Sequence, residues 1–217
     1  MKQISHREKS PYNRNLIETE FAIDENNNLY EHRLDIWYQY RRTGIYTYLS
    51  VAKNDNTVWC INNQKKLIKV IGENGIDYLN EEHSPNMTWK SISVYDSHCM
   101  IGINEKDEIF QGSGDYWEKL DGLLVNISFG MDKSIWGVNK NQDIYRRDGN
   151  KWTHIDGKAI QVSNYDINTV CVCNNDNNIY VWNGSKWNQF NGKLRWISVG
   201  KYTCWGCNKE GYVYKLQ

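Results

Sequence analysis

The chain has 217 residues, and its 26 Lys and Arg are balanced by 26 Asp and Glu. Zero formal charge leaves no excess cationic face for counterion release from a phosphate polymer, which argues against nucleic acid as a partner. No run of about 18 apolar residues is present to cross a bilayer as a helix. A hydrophobic content of 40%, with 13% aromatic residues, predicts a thin, aromatic-rich core.

The N-terminal stretch MKQISHREKSPYNRN holds no apolar run of the length a secretory signal needs. The expectation is a cytoplasmic protein, with non-classical export to the cell surface left open. Cys60, Cys99, Cys171, Cys173, Cys204 and Cys207 then read as reduced thiols rather than a disulfide framework. The sequon at Asn126 sits inside the apolar stretch LLVNISFG, where a glycan has no room.

Taken in chain order, one pattern recurs: a Ser, an Asn 10 to 12 residues later, and an aromatic or Ile six beyond that. The first unit has Asp24, Tyr30 and then Trp37; the second Ser50, Asn62 and Ile68; the third Ser93, Asn104, Phe110 and Trp117. The fourth has Ser128, Asn139, Tyr145 and Trp152, the fifth Ser163, Asn174, Tyr180 and Trp187, and the sixth Ser198, Asn208 and Tyr214. Short alternating apolar stretches such as Ile135 to Val138 predict strands, and NKNQD, NNDNN and NKEG supply the positive-φ residues of tight hairpins. With only Pro11 and Pro85, and no capped periodic stretch of helical length, no helix is predicted. Four strands in each of six units predicts an all-β fold: a single six-bladed β-propeller of four-stranded antiparallel blades over residues 1–217.

Ring closure has two registers. If Ser5 is the first inner-strand Ser, Asp24 follows 19 residues later; if Asn13 takes that place, the gap is 11, as elsewhere. The second is preferred, and it makes Met1 to Ser5 the outer strand of the last blade, beside Gly211 to Leu216.

The fourth and sixth repeats, ISFG…IWGVN…IYRR…W and ISVG…CWGCN…VYK, resemble tectonin repeats, and six of them resemble a tectonin β-propeller lectin over essentially the whole chain. The second repeat departs from the pattern: it lacks the outer Trp and carries an insert around Glu73 to Met87. The resemblance implies a carbohydrate-binding protein of defence type that recognises surface glycans, with O-methylated sugars such as methylated mannose or fucose, or bacterial lipopolysaccharide, as ligands. Periodicity supplies the scaffold and not the ligand.

Catalysis has no support, because His6, His32, His83, His98 and His154 occupy unrelated repeat positions; the expectation is a non-enzyme without cofactor. The CxC at Cys171 and CxxC at Cys204 stand where other repeats have core residues, so no metal site is expected.

Sugars present an apolar C–H face and a ring of hydroxyls, so recognition wants an aromatic platform beside hydroxyl-bonding side chains. The candidate ligand-binding residues are Trp136, Gly137, Asn139, Tyr145 and Arg146 in the fourth repeat, Asn174 and Tyr180 in the fifth, and Trp205, Gly206, Asn208, Tyr214 and Lys215 in the sixth. Gly137 and Gly206 would leave an apolar notch for an O-methyl group. The competing reading makes Trp136 and Trp205 inter-blade core and each Asn a turn residue. Trp37, Trp117, Trp152 and Trp187 read as core, while Trp182 and Trp196 break the pattern and read either as extra platforms or as a homo-oligomer contact. A second functional class is a cytosolic propeller scaffold for protein or phosphoinositide, with Lys65, Lys66 and Lys69, or Arg146 and Arg147, meeting anionic headgroups.

Overall fold

The computed structural model describes residues 1–7, 19–41, 45–55, 57–73, 76–83, 86–113 and 116–216. Among them are only strands, arranged as six antiparallel sheets. Blade one comprises β1 (Gln3–Arg7), β2 (Thr19–Ile23), β3 (Leu29–Arg33) and β4 (Ile36–Gln39), and blade two β5 (Tyr46–Val51), β6 (Val58–Asn62), β7 (Leu67–Glu73) and β8 (Ile76–His83). Blade three holds β9 (Trp89–Asp96), β10 (Cys99–Asn104), β11 (Glu108–Ser113) and β12 (Tyr116–Leu123). Blade four holds β13 (Asn126–Phe129), β14 (Ile135–Val138), β15 (Asp143–Asp148) and β16 (Lys151–Lys158). Blade five has β17 (Gln161–Asn164), β18 (Val170–Cys173), β19 (Asn178–Trp182) and β20 (Trp187–Lys193); blade six has β21 (Trp196–Val199), β22 (Cys204–Cys207) and β23 (Val213–Leu216).

Among the described residues burial falls outward along the blades, which explains the sequence pattern. The two inner strands of blades four and five are buried on both faces, so IWGV and VCVC read as continuous apolar runs. Outer strands such as β16 are largely exposed and carry polar residues between single apolar contacts. The core is divided among the seams. Phe21 and Ile23 meet Val51 and Val58 between blades one and two, Trp59 meets Trp89 and Met100 at the next seam, and Ile101 meets Leu124 and Ile127 at the third. Trp136 meets Val162 and Val170 at the fourth, and Cys173 meets Ile197 and Val199 at the fifth.

The repeated Ser is a latch between blades. The hydroxyl oxygens of Ser5, Ser50, Ser93, Ser128 and Ser163 accept the amides of Val51, Val94, Phe129, Asn164 and Val199 in the following blade, at 2.9 to 3.2 Å. These serines and Ser198 line a narrow polar channel of about 50 Å³ on the ring axis. Tyr48 and Trp196 also line it, with their rings edge to face at 5.6 Å, and Trp196 Nε1 donates to the Ile4 carbonyl at 3.1 Å. Burial pushes the Tyr48 phenol up to about 12.

This pattern corrects the closure register. β1 pairs with β2 as the innermost strand of blade one and not with β23, and Ser5 is the first latch. Gln3 fixes the register: its side chain bonds both the amide and the carbonyl of Leu49, as that of Gln161 does with Ile197. Asn13 lies outside the described residues. Blade six therefore has three strands among the described residues, not four. Its seam with blade one closes through side chains and termini: Trp205 meets His32 at 6.3 Å, and the Met1 ammonium donates to the Gly211 carbonyl at 2.6 Å.

Candidate functional site

One end of each blade carries the hairpin between its second and third strands, and the repeated Asn or Asp builds that turn. Oδ1 of Asn62, Asn104, Asn139 and Asn174, and of Asp24, accepts the amides two and four residues on, at 2.8 to 3.0 Å. Three residues past each turn former the chain is left-handed, at Asn27, Lys65, Asp107, Gln142, Asn177 and Gly211. These Oδ1 atoms are thus committed to backbone amides, as an Asx turn requires, and Nδ2 of Asn104 and Asn139 donates to the Glu108 and Asp143 carboxylates. Asn208 follows suit, accepting the Tyr212 amide at 2.9 Å.

Strand alternation divides the predicted site set. Neighbouring residues on a strand point to opposite faces, so Trp136 belongs to the seam between blades four and five while Tyr145 packs into the seam between three and four. Trp136 is 0% exposed and packed against Trp182 and Trp187, with ring centres at 5.9 and 6.1 Å; it offers no face to a ligand. Arg146 lies 5.9 Å from the Trp136 ring and holds Asp148 in a two-point pair at 2.8 and 3.0 Å. The notches at Gly137 and Gly206 are already filled, by the side chains of Leu124 and Leu194. Trp205 is half-buried beneath the Lys215 ammonium, 5.4 Å away, and Tyr214 is exposed. Asn174 is a turn former and Tyr180 packs beside Trp136. Of the two tryptophans outside the pattern, Trp182 joins the Trp136 cluster and Trp196 the channel wall.

Two predicted residues, Asn139 and Tyr145, do come together. They line a groove of about 360 Å³ between blades three and four, with Trp152, Ile109, Leu123 and Leu124 as its apolar walls and Asp107, Lys140 and Asn141 at polar positions. The Trp152 indole lies against Gly122 and donates Nε1 to the Asp121 carbonyl at 2.8 Å. Gly122 makes that approach possible, since it sits at φ +91° in the bulge that ends β12. Gly157 does the same for Trp187, whose Nε1 donates to the Asp156 carbonyl at 2.7 Å.

What sets the third seam apart is Leu123. Its counterparts in the next two blades are Lys158 and Lys193, whose ammonium groups reach the turns of their own blades, at Asn141 and Asp143 and at Asp176 and Asn178, over 2.5 to 3.1 Å. Leu123 is 54% exposed and gives the groove an apolar rim. The repeat pattern alone assigns Trp152 to the core and gives Leu123 no role. Its signal in the sequence is a leucine standing where two repeats have lysine.

The cations read as headgroup contacts are mostly occupied. Lys65 pairs with Glu105 at 3.6 Å, Lys66 donates to the Met87 carbonyl at 3.3 Å, and Lys69 lies 5.8 Å from the Trp59 ring. No helix among the described residues is long and apolar enough to cross a membrane.

Fold and seams together define a β-propeller in which one sequence repeat builds every blade. A family model described as Tectonin domain matches residues 18–184 and 88–217, and the chain belongs to the tectonin family. No curated protein matches the sequence. Among solved structures, YCF48 from Cyanidioschyzon merolae superposes with a TM-score of 0.60 at 10% identity, over 98% of this chain and 80% of that one. YCF48 bound to D1 peptide gives 0.58 at 13% identity over 92% and 74%, and BBS1N in complex with ARL6DN gives 0.58 at 9% over 91% and 86%. These likenesses show the propeller fold alone.

Proposed function

We propose that the protein is a carbohydrate-binding lectin whose main site is the groove between blades three and four. The observation that carries the reading is the juxtaposition there of Trp152, Tyr145 and an exposed Leu123 with Lys140, Asn141 and Asp107. An indole and a leucine suit the C–H face of a pyranose, and the polar positions suit its hydroxyls. An apolar rim favours a sugar with methyl groups in place of some hydroxyls, which supports O-methylated mannose or fucose over unmodified sugars. Tectonin membership supports glycan recognition, and the proposal extends it to surface glycans met in defence, lipopolysaccharide included.

The repeat suggests several sites, but with Lys158 and Lys193 in place of Leu123 the grooves are unequal, and avidity on a dense glycan surface would come from one stronger and some weaker sites. An array carrying methylated and unmethylated mannose and fucose together with lipopolysaccharide tests this. Binding that free methylated monosaccharide competes away and moderate salt leaves intact is the expected result. Silence across the array at high protein concentration would contradict it.

A further inference from the structure

At the opposite end of the strands, the same seam carries a second and more polar groove. It measures about 740 Å³ and is lined by Lys133 from the turn between β13 and β14, Arg147 of β15, Asn150, and Gln111, Glu118 and Asp121 of blade three.

Arg147 is out of place there on packing grounds. Its Nη1 is buried without a hydrogen-bond acceptor, and no carboxylate pairs with its guanidinium among the described residues. Strand register puts His32, Val70, Gly112, Trp182 and Leu216 at the corresponding position of the other blades. Four of these carry no charge, so the fold does not need a cation at this point. Where it places an ionisable ring, at His32, it supplies Glu20 at 2.8 Å. Arg147 has instead the Trp152 ring at 5.2 Å, which attracts the charge but gives its N–H groups nothing to donate to. Lys133 is exposed, with the Tyr95 ring at 4.8 Å and no ion pair among the described residues. Glu118 and Asp121 stand on the groove wall, and neither is paired with either cation.

A guanidinium held partly out of water with unmatched donors is matched by an oxyanion, which its planar fork binds through two bonds at once. We infer that this groove binds the oxyanion of a small ligand, a phosphate or a carboxylate, between Arg147 and Lys133. The lining of this groove shares no residue with that of the proposed glycan groove, which Arg147 touches only through the Trp152 ring, and the inference does not rest on the glycan reading.

The test is calorimetric titration of inorganic phosphate and, separately, of glucuronate at low ionic strength into the wild type, Arg147→Leu, Lys133→Asn and, as a control cation outside this groove in the turn between β10 and β11, Lys106→Ala. Arg147→Leu copies Leu216 of blade six, and its melting temperature should equal or exceed that of the wild type. Lys133→Asn suits the left-handed backbone of that position, φ 62°. Saturable binding to the wild type and to Lys106→Ala is expected, weakened at least about tenfold by Arg147→Leu and less by Lys133→Asn. Whichever probe binds identifies the source of the oxyanion. No binding of either probe to the wild type, or equal affinity in Arg147→Leu, overturns the proposal. Because neither probe carries a methylated sugar face, this failure is separate from a failure of the glycan reading.

Discussion

Trp136 and Trp152 stand sixteen positions apart in one repeat; Trp136, a candidate platform in the sequence, is sealed inside a seam, whereas Trp152, read there as core, packs against the core of the third seam and also walls its groove. The Trp136–Asn139–Tyr145–Arg146 set reads as one site because its members are close in sequence, yet alternation sends Trp136 and Tyr145 into different seams. Which seam holds a cavity depends on the neighbouring blade, and a single repeat does not contain that neighbour. Trp136→Ala should therefore cost about 3–5 kcal/mol of stability, read as a shift in denaturant midpoint. Trp152→Ala should instead cost about 2 kcal/mol or more of sugar affinity, with the smaller stability loss of a half-buried ring. The acidic limb of stability has its own residues. Partial burial works to raise the Asp55 carboxyl, but hydrogen bonds from Thr57 and Ser97 outweigh it and hold the group below the usual carboxylate range. Asp132 is held low in the same way, by Ser134 and Ile167. Both carboxylates link blades, since the Ser97 and Ile167 amides donate to Asp55 and Asp132 from the blade that follows. A depressed folded-state pKa means the contribution is full above the ordinary carboxylate range and is lost as pH falls through the folded value. Melting temperatures taken from about pH 6 down to about pH 3 should fall less steeply for Asp55→Asn than for the wild type.

Among the elements, the turns are the most legible in the sequence and the outer strands the least. Asn at a fixed place, followed three residues later by Asn, Lys, Asp, Gln or Gly in the left-handed region, is local chemistry that one repeat contains in full. The latch serines are visible as a period but not as a mechanism, because their partners are amides of the next blade. Ser93→Ala should leave the buried Phe129 amide unmatched and cost about 1–3 kcal/mol, measured by chemical denaturation. The departure of Leu123 from the lysine pattern is readable too, but its meaning needs the bulge at Gly122 and the indole beyond it. Leu123→Lys should remove the apolar rim with little change in melting temperature.

For the whole molecule, six repeats and an all-β composition are enough to give the ring, and the family match agrees. Closure is misread from sequence because equal spacing between repeat anchors favours Asn13, whereas the longer connection between β1 and β2 leaves the inner strands in register. Deleting residues 1–7 should therefore remove the inner strand of blade one, with the Gln3 and Ser5 bonds to blade two, and abolish cooperative folding rather than merely free an outer edge. The glycan proposal rests on the third seam and its apolar rim, and calorimetric titration of an O-methylated mannose into the wild type and Leu123→Lys is its sharpest test. Saturable binding to the wild type is expected, with at least about tenfold weaker binding, ~1.4 kcal/mol, to a variant that melts at the same temperature; equal affinity in the two proteins, or no binding to the wild type, would contradict it.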